Sequence, residues 1–289
     1  MRGTEREVLL ECRDLAVGHD GVPVLEGVNL EVRRGEIVAL LGGSGSGKST
    51  LLATVTGLIP AISGSVRLFG EPFLELGEDE RNTVRRRTGL LFQQDALFGS
   101  LSLLDNLALP LRELTSLPEP VIVELARIKL GLVGLGGLVD RMPSQLSGGQ
   151  RRRAGLARAA VLDPELVFCD APSAGLDPVV SAEIDELLLQ FRDVLGITLV
   201  VVSHHLASIR TISDRAIMLG RGQILATGTL DELDRSSDPD VHAFIHRVPG
   251  DTLGGRAVDP VGHLRQGAHG VIRFDPASGS RGDRSDRGV

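Results

Sequence analysis

Ile37-Val38-Ala39-Leu40-Leu41-Gly42-Gly43-Ser44-Gly45-Ser46-Gly47-Lys48-Ser49-Thr50-Leu51-Leu52 is the stretch whose reading decides the fold. Ile37 to Leu41 is an unbroken apolar run, which predicts a strand buried on both faces. The chain then breaks into glycines and resumes with a helix-compatible run to Leu58. This is G-x-x-x-x-G-K-[ST] between a strand and a helix, the context a phosphate-binding loop requires. Glycines let backbone amides wrap phosphate oxygens, and the helix start adds the positive end of its dipole. Lys48 can reach the β- and γ-phosphates, and the Ser49 hydroxyl can ligate Mg²⁺. A glycine-rich turn with a surface lysine is the bland alternative, and the flanking strand and helix argue against it. The stretch predicts a nucleotide-triphosphate site built from Gly42, Gly43, Ser44, Gly45, Ser46, Gly47, Lys48, Ser49 and Thr50.

Working outward, 289 residues allow one large α/β domain or two modest ones. Hydrophobic residues make up 42%, enough for a sizeable core, and Phe supplies all the aromatic mass because Trp and Tyr are absent. The net charge of −7 argues against a nucleic-acid surface. No apolar run approaches the length needed to cross a bilayer, and Met1 to Glu11 is too charged for a signal peptide. The expected location is therefore cytoplasmic, with membrane contact only through partners. Cys12 and Cys169 are the only cysteines. Cys169 lies in an apolar strand pattern, so an inert buried thiol is expected rather than a disulfide or metal ligand.

Val8 to Val17 and Val22 to Val32, broken by Gly18 to Gly21, predict an antiparallel pair before the phosphate loop. Gly64 to Phe69 reads as a strand followed by a Gly70-Glu71-Pro72 turn, Glu78 to Arg87 as a charged helix, and Gly89 to Gln93 as a short strand. From about Asp95 to Ser144 helical pieces, Leu103–Leu109 and Pro120–Leu130, alternate with Pro and Gly breaks, which predicts a helical insertion. Leu166 to Asp170 and Ile197 to Ser203 are further buried-strand patterns, separated by an amphipathic Val179 to Leu195. Arg215–Leu219 and Gln223–Ala226 close the series as short strands. Strands alternating with helices imply a mostly parallel sheet. Beyond Pro249 the chain is rich in Gly, Arg, Asp and Ser, the composition of a disordered tail.

A second motif, Leu146-Ser147-Gly148-Gly149-Gln150, precedes Arg151 to Ala160. Ser147 is placed to cap a helix whose Ala154, Ala157 and Val161 share a face, and its exposed amides make a second anion site. The two motifs together resemble the ATP-binding cassette family, with Walker A at Gly42–Ser49 and the signature at Leu146–Gln150. The resemblance spans Val8 to Val248. It implies a phosphate-loop ATPase core over residues 1–248, with an N-terminal antiparallel β subdomain and a helical signature subdomain inserted at about 95–160, and a tail over 249–289. It implies ATP and Mg²⁺ as ligands, and two cassettes sandwiching two ATP molecules, each signature (Ser147, Gly148, Gly149, Gln150) facing the partner's Walker A. Gln93 matches the Q-loop glutamine, Asp170 the Walker B aspartate, Asp177 in Ser173-Ala174-Gly175-Leu176-Asp177 the D-loop, and His204 the switch histidine. In isolation Gln93 would be a strand-end glutamine and His204 a satisfied core histidine; their order and spacing after two specific motifs reverse that reading. Lys48, Gln93, Asp170 and His204 are the implied catalytic residues, and Ser49, Gln93 and Asp170 the implied metal side.

Three departures stand out. His19 falls where the family usually stacks an aromatic on adenine, His205 follows the switch histidine where Asp is usual, and Ala171 occupies the place of the general-base Glu. Two explanations fit Ala171: a naturally impaired cassette, or a substitution introduced to hold the closed state. The runs Phe92–Phe98, Asp105-Asn106, Pro110–Glu113, Leu117-Pro118 and Asp238–Val241 with Phe244 resemble the ATPase subunits of the maintenance-of-lipid-asymmetry transporters. That resemblance implies a homodimer on the inner membrane, under permease subunits, with a mammalian-cell-entry-type lipid-binding protein, a small STAS-like subunit and phospholipid as cargo. Leu97, Phe98, Leu101 and Leu103 would then belong to a permease-docking groove between Gln93 and Leu117. The competing classes are a nucleotide-gated binding module without significant hydrolysis, a cassette for another cargo, and a soluble repair or translation ATPase. The last usually carries coiled-coil insertions or two cassettes in one chain.

Overall fold

A computed structural model describes residues 6–92 and 97–246, all within a compact unit, Met1–Pro249. Gln93 to Ala96 and the tail lie outside the described residues. The chain runs β1 (Val8–His19), β2 (Val22–Arg33), β3 (Ile37–Leu41), α1 (Lys48–Val55), β4 (Ser63–Leu68), β5 (Glu71–Pro72), α2 (Glu78–Arg85) and β6 (Thr88–Leu91). It continues through α3 (Leu103–Leu114), α4 (Glu119–Leu132), α5 (Gly148–Ala159), β7 (Leu166–Asp170), α6 (Pro178–Asp193) and β8 (Thr198–Val202). The last elements are α7 (Leu206–Ile212), β9 (Arg215–Gly220), β10 (Gln223–Gly228), α8 (Leu230–Asp234) and α9 (Pro239–His246).

The main sheet has six strands in the order β10-β9-β3-β8-β7-β6, parallel except for β10, and an antiparallel sheet of four runs β2-β1-β4-β5. This is an α/β phosphate-loop fold with an N-terminal antiparallel sheet and a helical region between β6 and β7. Helices and the second sheet cover both faces of the parallel sheet, so its strands read as continuous apolar runs. Ile37, Ala39 and Leu41 face the helices α3 to α7, while Val38 and Leu40 face the antiparallel sheet and α1.

The break expected at Gly18 to Gly21 narrows to Asp20-Gly21, whose positive φ values of 51° and 78° make a two-residue hairpin pairing His19 with Val22. Gly18 stays in the strand, paired with Pro23, and must be glycine there because a Cβ would lie 1.9 Å from the Val22 carbonyl oxygen. The turn expected at Gly70-Glu71-Pro72 is instead Phe69-Gly70, both at positive φ, and Glu71-Pro72 returns to pair with Arg67-Leu68. The Arg87 guanidinium stacks 3.8 Å from the Phe69 ring centroid at this turn.

Pro110 was expected to end a helix and instead sits inside α3. An interior proline costs about 3 kcal/mol. Burial of Leu103, Leu107 and Leu111, at about 1.5–3 kcal/mol each, outweighs it. Asn106, fully buried on the same helix, ties the preceding loop down by donating to the Phe98, Leu101 and Ser102 carbonyls and accepting from the Phe98 amide.

Candidate functional site

Three neighbouring parallel strands deliver the site. Leu40, Val202 and Asp170 stand in one row across β3, β8 and β7. The residues after that row, Gly42 onward, Ser203-His204 and Ala171, therefore emerge at the same edge of the sheet. Ligands of open parallel sheets bind at this carboxyl edge. Backbone bonds lock the row at its end: the Ala171 amide donates to the Val202 carbonyl at 2.9 Å and the Ser203 amide to the Leu40 carbonyl at 3.3 Å.

The loop from Gly42 to Gly47 has the shape its glycines permit. Gly42, Gly45 and Gly47 have φ of 145°, 77° and 90°. A Cβ on Gly42 would meet the Leu219 carbonyl oxygen at 2.4 Å, and one on Gly47 the Leu25 side chain at 2.7 Å. Gly47 precedes α1 without a side-chain cap, so the first-turn amides keep their donors for an anion. Lys48 Nζ donates to the Gly42 carbonyl at 2.8 Å, the Gly43 carbonyl at 2.7 Å and Ser46 Oγ at 3.1 Å. Burial pulls the Lys48 pKa below its ordinary 10.5, and the Asp170 charge partly opposes that shift. The ammonium is thus held at the loop mouth on weak neutral acceptors that phosphate oxygens can replace.

Ser49 is exposed and Asp170 half-buried at the strand end. Among the described residues no three His, Cys, Asp or Glu side chains converge as a metal cage. One carboxylate plus one hydroxyl suits Mg²⁺, which keeps water and takes substrate phosphate oxygens. The Gln93 expectation lies outside the described residues. His19, last residue of β1, is exposed with Nε2 3.4 Å from the Thr50 hydroxyl, which puts an imidazole beside the start of α1.

The signature residues lie on other elements, since α5 packs on α3, α4, α6 and β6 while α1 packs on β1 and β7. Ser147 caps α5: its Oγ accepts from the Gln150 amide at 3.2 Å, and Gln150 Oε1 accepts from the Ser147 amide at 2.9 Å. Gly149 must be glycine, because a Cβ would lie 2.5 Å from Val180 Cγ1. Asp177 is engaged as the cap of α6, accepting from the Val179 and Val180 amides.

Ala171 is left-handed, at φ 50°, and only 7% exposed. With His204 and His205 it lines a cavity of about 110 Å³. Cys169, on the strand just before it, is fully buried and its thiol is pushed up to about 12 by burial; Cys12 behaves alike, and both are free.

The apolar groove read from sequence divides in two. Leu103, the first residue of α3, is fully buried and Leu97, in the loop before it, packs on the core, whereas Phe98 is 51% exposed. Phe98 lines a cleft of about 410 Å³ with Phe92, Pro110, Leu114 and Arg158. Sequence reasoning missed Arg152, a buried cation on α5 that donates to the Phe92 carbonyl and joins the signature helix to the end of β6. Its place in a run of three arginines hid it.

A phosphate loop after one strand, a carboxylate two strands away and a capped glycine pair on a separate helix define an ATP-binding cassette. Residues 25–174 match the ABC transporter family, and the chain belongs to it as an ATP-binding ATPase subunit. It is 39% identical over 240 residues to the intermembrane phospholipid transport system ATP-binding protein MlaF of Escherichia coli (strain K12), covering 83% of this chain and 89% of that protein. It is also 39% identical over 255 residues to the probable ribonucleotide transport ATP-binding protein mkl of Mycobacterium leprae (strain TN), covering 88% of this chain and 71% of that protein. Among solved structures, the cassette MJ0796 in a dimeric post-hydrolysis state bound to ADP and Pi superposes with a TM-score of 0.71 at 30% identity, covering 77% of this chain and 99% of that one. The protein cbiO1 from Clostridium perfringens gives 0.73 at 26% identity, covering 89% and 98%.

Proposed function

We propose that this chain is the ATP-hydrolysing subunit of a transporter that moves phospholipid between bacterial membranes. The observation that carries the ATPase part is the Lys48 ammonium at the mouth of the glycine loop, with Asp170 on the same sheet edge. Gly42 to Thr50 hold the triphosphate, His19 lies against the base, and Ser49, Asp170 and Gln93 make the Mg²⁺ side. The metal, when bound, neutralises charge on the β- and γ-oxygens. Lys48 and His204 of this chain bind and orient the γ-phosphoryl group, which favours the charge that develops on transfer. Ser147, Gly148, Gly149 and Gln150 of a second copy, with Asp177 at the dimer seam, complete each site, so ATP and dimerisation stabilise each other reciprocally. Ala171 has no proton acceptor. A positioned base contributes about 10²–10⁴-fold, and this position supplies none of it, so hydrolysis is slower than with a carboxylate here.

The cargo assignment leans on the MlaF relatives and on the exposed cleft at Phe98, which suits an integral-membrane permease on the cytoplasmic side of the inner membrane. An MCE-type lipid-binding protein and a small STAS-like subunit complete the assembly. The mkl relatives, named for ribonucleotide transport, match at the same identity. Purification of the chain with its co-expressed membrane neighbours, followed by mass spectrometry of bound lipid and an ATP-dependent transfer assay between vesicles, tests the reading. Phospholipid should co-purify and move only with ATP. A complex that binds ribonucleotide cargo and no lipid would assign the machine to the other class.

A further inference from the structure

The cavity beside Ala171 has a polar wall to which residues outside the nucleotide motifs contribute. Ser173, Ser181, Ser203, His204 and His205 line it with Ala171. Of these, His205 is tied into a chain of hydrogen bonds. Its amide donates to Ser203 Oγ at 3.0 Å, and its ring Nδ1 lies 3.0 Å from Ser208 Oγ on α7. The Ser208 hydroxyl in turn reaches the carboxylate of Asp185 on α6. Both Ser208 and Asp185 are buried, at 4% and 7% exposure. A serine hydroxyl has one hydrogen, and an ionised carboxylate only accepts. With Asp185 ionised, Ser208 donates to it and accepts from Nδ1–H of His205, which leaves the Nε2 lone pair as the acceptor of the ring. Burial raises the Asp185 pKa, while Ser208 and the nearby His205 favour its charged form.

We infer that His205, oriented by Ser208 and Asp185, is the proton acceptor for the water that attacks the γ-phosphate, in place of the side chain that Ala171 lacks. This rests on the ATP-hydrolysing reading above. The water oxygen forms the new O–P bond, and its proton passes to Nε2 while the O–H electron pair stays on oxygen. The β–γ bridging P–O bond breaks with its pair leaving on ADP. The imidazolium so formed is stabilised through Ser208 by the Asp185 carboxylate and returns its proton to solvent after phosphate leaves. His204 stays on the γ-phosphate, so the two adjacent histidines divide the work between phosphate contact and proton transfer.

Two measurements on the full chain test this. In nitrogen-15 histidine spectra without nucleotide, His205 should be the Nδ1–H tautomer, and Ser208→Ala should shift it toward Nε2–H; an Nε2–H ring in the unaltered chain overturns the inference. In single-turnover hydrolysis of MgATP, His205→Ala should lower the rate about a hundredfold. Affinity for a fluorescent ATP analogue should hold, and added imidazole should restore part of the rate by entering the vacated space. Equal rates for His205→Ala and the unaltered chain overturn the inference, as does an unaltered chain that binds ATP without hydrolysing it. Failure of the unaltered chain to bind the analogue removes the nucleotide reading itself, and this inference with it.

Discussion

Lys48→Ala isolates the interaction that the whole site turns on. In the free protein Nζ has three oxygen partners within 3.1 Å, two of them loop carbonyls and one the Ser46 hydroxyl. Gly43 is exposed, so water replaces the ammonium there and the fold loses little. With nucleotide bound, the same nitrogen donates to anionic oxygens in a charge-assisted bond worth about 1.5–3 kcal/mol. That difference predicts a loss of affinity of roughly ten- to hundredfold. Titration with a fluorescent ATP analogue reads it, and thermal melting of the same samples should show a nearly unchanged Tm. The pH dependence follows from the same group. Burial lowers its pKa below 10.5 in the free protein, so the charged lysine costs stability below that lowered pKa, and the cost fades as pH rises toward 10.5. Phosphates favour the protonated form, so nucleotide binding should take up a proton in this alkaline window and weaken as pH rises through it. Equal affinity for Lys48→Ala and the parent, or proton release on binding, would refute the placement of this ammonium against phosphate.

Ser147→Arg should leave binding to a single protomer intact and abolish ATP-dependent dimers; an unchanged dimer by size exclusion in ATP would remove the head-to-tail sandwich. Phe98→Glu, at a half-exposed ring on the cleft rim, should release the chain from permease-containing membranes while ATP affinity holds, and collapse of ATP binding would place Phe98 in the core instead. Ala171→Glu should raise single-turnover hydrolysis at least about tenfold by setting a carboxylate at the cavity. An unchanged rate means that the vacancy at this position does not limit the reaction. Glu165 accepts from Arg87 and Arg34, and these bonds hold its carboxyl below the ordinary 4.5. Their stabilisation is present above 4.5 and lost as pH falls through the lowered value. Glu165→Gln should therefore cost about 1 kcal/mol at neutral pH after solvent screening and flatten the acid limb of Tm against pH; parallel acid limbs would show that the cluster adds nothing.

The nucleotide loop was legible in the sequence because its chemistry is local. Glycines at Gly42, Gly45 and Gly47 and the cation of Lys48 act through the backbone immediately around them. β3, β7 and β8 were legible for a related reason: a strand covered on both faces needs an unbroken apolar run whatever its neighbours are. The capping of α5 by Ser147 is equally a matter of four consecutive residues, Ser147 to Gln150. The short helices α7 and α8 escaped, since five to seven residues give periodicity too little length to register.

What only the tertiary structure decided is which distant residues meet. Strand order β3-β8-β7 puts Gly42, His204 and Asp170 on one edge, and no local pattern encodes that order. The hairpin at Asp20-Gly21 carries His19 to Thr50 across 31 residues of sequence. Packing also set Leu103 in the core and Phe98 on the surface, and it kept Pro110 inside a helix against its own preference. The Asp185–Ser208–His205 chain joins two helices and the segment after a strand, and it ends at His205 on the wall of the cavity beside Ala171. Propensity and backbone conformation belong to a few adjacent residues and can be read in order. Register, burial and hydrogen-bond partnership belong to pairs far apart in the chain, and their free energies arise only once the sheet and its covering helices have closed.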